Sequence, residues 1–216
     1  MQRVADVARV GATHYLQGST RLQNTAFRTV DFHRRFQINE SRARTVAARK
    51  QGKAVARWLG WHNGGVVHWV LLLEPGKTAE TTEKWRDLVK DKIELTNYQL
   101  VRQTRPGARA PVWTWRYSSR QEQHLRDQLV QAIRQRHDGV VAQLVHSLWN
   151  SPGFRGVRDQ VKRFKALALA EWRRSRSANE APPQFPALLR YVRRLGDAGS
   201  VWSELMTESK NELIET

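Results

Sequence analysis

The chain has 216 residues, enough for one large domain or two small ones, and its 40% hydrophobic content suffices for a core. It carries 37 Lys and Arg against 20 Asp and Glu, a formal net charge of +17, which points to a polyanionic partner. With no cysteine, the sequence excludes disulfide frameworks, thiolate nucleophiles and zinc sites that use sulfur.

Arginine supplies 28 of the basic residues, and its planar fork suits phosphates and stacking better than an ammonium does. The first residues, MQRVADVARVGATHYLQGS, lack the apolar core of an export signal. The longest apolar run, Val66 to Leu73 interrupted by His68, is too short to span a bilayer. The expectation is a cytoplasmic chain with no membrane partner.

Charge is unevenly spread. Residues 1–60 hold 12 basic and 3 acidic side chains, the stretch from Glu74 to Glu94 holds 5 and 6, and residues 102–176 return to 16 and 5. After Asp197 the chain turns acidic with Glu204, Glu208, Glu212 and Glu215.

Taken in order, Ser41 caps a predicted helix running to about Trp58, which Gly60 and the Asn63-Gly64-Gly65 turn break. Val66–Glu74 reads as a central strand covered on both faces, ended by Pro75-Gly76, and residues 79–90 read as an amphipathic helix. Tyr98–Gln103 and Val112–Tyr117 alternate as a hairpin whose loop carries Arg105 and Arg109.

From Ser119 the period becomes helical. Leu125, Leu129 and Ile133, then Val141, Val145 and Leu148, then Val157, Val161, Phe164 and Ala168 mark three helices, separated at Asp138-Gly139 and Ser151-Pro152-Gly153. A Pro-rich linker over 177–186 and a short helix Ala187–Leu195 precede a frayed tail. The expected fold class is α+β: a small sheet with a β-hairpin and a covering helix, followed by a basic helical half. The expected divisions are 1–118, an α/β half with an N-terminal basic helix, 119–195, a helical half, and 196–216, an acidic tail.

Two basic stripes stand out. On a continuous helix from Ser41, Arg42, Arg49, Lys53 and Arg57 fall within about an 80° arc at 100° per residue. On the helix after Pro152, Arg155, Arg158, Lys162, Lys165 and Arg173 do the same, beside an apolar arc of Val157, Val161, Phe164, Ala168 and Trp172. Solvated faces usually mix signs to gain i,i+4 pairs, and neither stripe includes an acidic residue, so both are candidate phosphate contacts, together with Arg105 and Arg109.

Trp113, Trp115 and Tyr117 alternate on one strand face. Such a face either packs on a helix, the reading preferred here, or stacks bases. Trp58, Trp61, Trp69, Trp85 and Trp149 are expected in the core.

Motifs for chemistry are sparse. No Gly-x-x-x-x-Gly-Lys occurs, no His is followed three residues later by Arg, and the carboxylates do not cluster as a two-metal nuclease requires. His68 stands alone on its strand, and pairing it with His62 would require the intervening turn to fold back. A metal-free ribonuclease needs only a base, a cation and the substrate's 2′-OH, and His33 with Arg34 and Arg35, or His124 with Arg126, are the candidates. No metal or cofactor is expected.

The segment Ile93 to Tyr117, IELTNYQLVRQTRPGARAPVWTWRY, with His68-Trp69-Val70-Leu71-Leu72 and Pro152-Gly153-Phe154, resembles uncharacterised basic proteins of bacterial plasmids and integrative mobile elements. The resemblance covers about half the chain and implies work near replication, transfer or maintenance of mobile DNA. The expected function is nucleic-acid binding, to DNA or RNA. The alternatives are a metal-independent endoribonuclease for repeat or guide RNA, and an adaptor subunit of a nucleoprotein complex with Trp202 and the acidic tail as protein contacts.

Overall fold

The computed structural model describes residues 1–38, 40–77, 83–104, 106–189 and 191. Along the chain run α1 (Gln2–Val10), β1 (His14–Arg21), α2 (Leu22–Phe36), α3 (Arg42–Lys50), β2 (Ala56–Asn63), β3 (Val66–Leu73) and the two-residue strands β4 (Arg86–Asp87) and β5 (Glu94–Leu95). Then come β6 (Tyr98–Thr104), β7 (Pro111–Tyr117), α4 (Ser119–Arg134), α5 (Asp138–Trp149) and α6 (Arg155–Ser175). The class is α+β, with small antiparallel sheets and a helical half. No described helix is long and apolar enough to cross a membrane.

Two compact units form. One is Tyr15–Trp85, and the other joins Arg3–His14 to the described residues from Arg86 onward. The hairpin β6–β7 therefore belongs with the helices, and the expected division after residue 118 separates pieces that pack together.

In the Tyr15–Trp85 unit, β3 is central between β2 and β1. Gly64 and Gly65, at φ 56° and 79°, close the β2–β3 hairpin as a two-residue turn whose positive φ values L side chains resist. Alternation then sends Trp58, Val67, Leu71 and Leu73 to one face, where Phe32 and Phe36 of α2 and Ile38 cover them. Phe32 meets Trp69 edge-on at 5.1 Å between centroids. Gly18 of β1 leaves the space that ring needs, since a Cβ there would lie 2.6 Å from it.

The helix expected from Ser41 to Trp58 is corrected. Ser41 does cap it, accepting a hydrogen bond from Arg44 N, but α3 ends at Lys50. Gly52 then sits at φ 66°, and residues 56–63 follow the two-residue period of a strand. The helix expected over 79–90 is also absent across the described residues 83–90. There the Asp87 carboxylate accepts from Val89 N at 2.8 Å and Lys90 N at 2.9 Å, closing a local turn that competes with a helix. Those same bonds, Lys90's first, hold the Asp87 carboxyl below its ordinary range.

In the other unit, β5, β6 and β7 form the second sheet, with Leu100 opposite Trp115. Trp113, Trp115 and Tyr117 are core, Trp115 being 0% exposed. Helix α6 packs tightly on β7, where Gly156 N donates to Thr114 Oγ1 at 3.1 Å. Gln160, 1% exposed, accepts from Tyr117 N at 2.7 Å and donates to Glu122 Oε2 at 2.8 Å.

The Pro-rich segment is irregular, as composition predicts, yet well held. Trp149 Nε1 donates to Pro186 O at 2.9 Å and Trp172 Nε1 to Glu180 O at 3.2 Å. Residues 187–189 and 191 are not helical, and the rest of the helix expected over 187–195 lies outside the described residues, as do Trp202 and the acidic tail.

Candidate nucleic-acid interface

The inner arc of α6 is as expected: Val157, Val161, Phe164, Ala168 and Trp172 are buried, and part of the basic arc beside it reaches solvent. On that arc Lys162, Lys165 and Arg173 are exposed and make no ion pair among the described residues. Lys162 and Arg173 lie about 16 Å apart along the axis at 1.5 Å per residue, a span that covers several phosphates. Lys165 also sits over the Phe185 ring, its Nζ 5.2 Å from the centroid.

The other two cations of this stripe are structural. Arg155 is largely covered, donates to Thr104 O at 3.3 Å and approaches Asp159 at 3.7 Å, which ties the end of β6 to α6. Arg158 lies 3.8 Å over the Tyr191 ring.

Three arginines outside the expected stripes stand beside this row, together with Asp127 and Glu171. Arg126 and Arg134 of α4 and Arg174 of α6 line a groove of about 430 Å³ between the two helices. Glu171, 3% exposed, is its anchor: it accepts from Arg134 Nε at 2.6 Å and pairs with Arg174. The Arg134 bond above all, then the charges of both arginines, holds the Glu171 carboxyl below its ordinary range. The clue to this groove is the i,i+8 spacing of Arg126 and Arg134, which places both on one side of α4.

The first stripe does not survive as a stripe. Arg57 stands on β2, donating to Thr45 Oγ1 at 3.2 Å, and Lys53 lies beyond the helix. Arg49 is bound in a two-point fork to Glu74, so the expected absence of an acidic partner is corrected there. Of the two on α3, both exposed, Arg42 is the one without an ion pair among the described residues. At the tip of the β6–β7 hairpin Arg109 is exposed, whereas Arg105 lies outside the described residues.

The histidine candidates fall in different units. His33, in the last turn of α2, has Nδ1 3.1 Å from Ile38 O and Nε2 3.9 Å from Glu40 Oε1. It lines a cleft of about 490 Å³ with Arg34, Arg44 and Lys53, while Arg35 turns to Asp31 and Glu83. His124 is exposed on α4, in an open hollow beside Arg120 and Asp127. The turn before His68 does fold back, yet His62 pairs with Val67 in the ladder, so the two histidines lie on opposite faces. Among the described residues no three His, Asp or Glu side chains gather as a metal site.

Of the five tryptophans expected in the core, Trp58 and Trp149 are buried and Trp69 and Trp85 pack partly buried. Trp61 is corrected: it is 40% exposed. Compared with known proteins, the chain matches no family model, no curated protein and no solved structure.

Proposed function

We propose that this chain holds nucleic acid by its phosphates, through the outer face of α6 and the neighbouring α4–α6 groove. The observation that supports this reading most is the row Lys162, Lys165 and Arg173, exposed and without ion pairs among the described residues, on a helix whose other face is fully used in packing. Like-charged neighbours destabilise a helix slightly, so a row without counterions among the described residues is best accounted for by an anion that arrives from outside. Arg42 and Arg109 are secondary contacts. Service to a mobile element in replication, transfer or maintenance is proposed with it, on the resemblance of residues 93–117.

The test is binding of the purified chain to matched single-stranded DNA, duplex DNA and hairpin RNA across salt. Affinity for duplex should fall steeply between about 50 and 200 mM, log K dropping about 0.9 per phosphate contact for each decade of salt. Affinity that ignores salt over this range contradicts the proposal.

A second reading, metal-independent RNA cleavage, is favoured by one observation at His33. In the neutral ring the Ile38 carbonyl, which only accepts, places the proton on Nδ1 and leaves Nε2, 3.9 Å from Glu40 Oε1, as the nitrogen that would take the proton of a 2′-OH. Hairpin RNA incubated in EDTA should then give fragments ending in cyclic phosphate, lost in His33→Ala. RNA left intact by the unmodified chain overturns this reading.

A further inference from the structure

A tryptophan held half in water is costly unless something covers it, because its ring is among the largest apolar surfaces a side chain offers. Trp61 stands on β2 near the hairpin tip. Alternation puts it on the sheet face opposite Trp58, away from the α2 core. Directly across the ladder is His68, and the two rings stack with centroids 5.6 Å apart and planes 26° apart. At that separation the stack is displaced, so the rings form a stepped shelf and leave much of the indole face open.

The surroundings are polar and cationic. Residues 60–65, the outer half of the hairpin, are all exposed. On β1 the same alternation presents Gln17, Ser19 and Arg21, exposed, and Arg21 makes no ion pair among the described residues. An apolar protein partner would call for apolar neighbours around the indole. Here the neighbours are hydrogen-bonding side chains and a free cation, in a chain of net charge +17.

We infer that the Trp61–His68 shelf is a second binding site, which stacks unpaired bases of a nucleic-acid strand while Arg21 faces its backbone. The inference rests on the proposed nucleic-acid function and adds to it a preference for single-stranded segments. Any base offers a π-face to such a shelf, so it favours open strands over duplex without reading sequence. His68 keeps the indole pre-set, so little ordering accompanies binding.

The test compares the unmodified chain with Trp61→Ala and Trp61→Phe on an oligothymidine, an oligouridine and a duplex, at two salt concentrations. Trp61→Ala should bind both single strands about 5- to 150-fold more weakly, with the slope against salt unchanged and duplex binding intact, and Trp61→Phe should recover most of the loss. DNA against RNA then names the polymer. In the unmodified chain, photocrosslinks to a bromouridine oligonucleotide should map to Trp61. Single-strand affinity unaltered in Trp61→Ala, or crosslinks that map only elsewhere, overturns the shelf while leaving the phosphate face standing. No binding of any nucleic acid overturns both.

Discussion

Arg49 grips Glu74 in a two-point fork, Nε to Oε2 at 2.7 Å and Nη2 to Oε1 at 2.6 Å, joining α3 to the residue that follows β3. Glu74 is 7% exposed, so its charge has little water to rely on, and the bond above all raises the pKa of Arg49. Arg49→Ala leaves that carboxylate unpaired. Because Arg49 is itself partly exposed, the cost should be about 2 kcal/mol rather than the full penalty of a buried pair, read as a lower urea midpoint. Nucleic-acid affinity per folded molecule should not change.

Gly156 lets α6 lie directly against β7. A Cβ there would lie 2.5 Å from Trp115 O, a backbone atom that cannot step aside. Gly156→Ala should therefore destabilise by about 2 kcal/mol despite the better helix propensity of alanine, seen as a lower melting temperature. Gly139, with open space at its Cβ position, is the control: Gly139→Ala should be neutral or slightly stabilising.

Glu171 gives the α4–α6 groove a pH dependence. Its carboxyl is held below the ordinary glutamate value of 4.5, by the Arg134 hydrogen bond first. A folded-state pKa below the unfolded one means stability that is fully present above the unfolded value and lost as pH falls through the folded one. Denaturant unfolding of the unmodified chain should therefore weaken below about pH 4.5, and Glu171→Gln should flatten that part of the profile. Equal slopes in the two proteins over this window would show that the carboxylate does not couple to folding.

Sequence reading was most accurate where one physical period dominated. The apolar repeat of α4, α5 and α6 and the alternation of β6 and β7 reflect burial on one face, the apolar run of β3 reflects burial on two, and the punctuation at Asp138 and Pro152 agrees. The first forty residues were opaque: β1 has a single fully buried residue, Tyr15, and α2 shows few apolar positions beyond Phe32 and Phe36 while exposing Phe27 and Val30. The end of α3 is hidden in the sequence because ARTVAARKQGKAVARW keeps a helical pattern to Trp58, and the chain leaves the helix at the left-handed Gly52.

Tertiary partners explain the rest. Glu74 is 25 residues from Arg49, and Arg134 is 37 from Glu171, so no local spacing could reveal which cations are taken. Three of the five cations of the α6 stripe, Lys162, Lys165 and Arg173, remain open, whereas Arg155 and Arg158 are absorbed into packing. For Trp61, the misplaced helix hid the alternation that sets it opposite Trp58.

The most direct measurement on the basic face is the salt dependence of duplex binding by the triple variant Lys162→Ala, Lys165→Ala, Arg173→Ala beside the unmodified chain. These side chains are exposed and without ion pairs among the described residues, so the fold should be unaffected. The account predicts weaker binding at every salt concentration and a slope of log K against log salt shallower by about 2 to 3, one step of roughly 0.9 per lost contact. Affinity and slope identical to those of the unmodified chain would place the nucleic acid elsewhere and contradict the account.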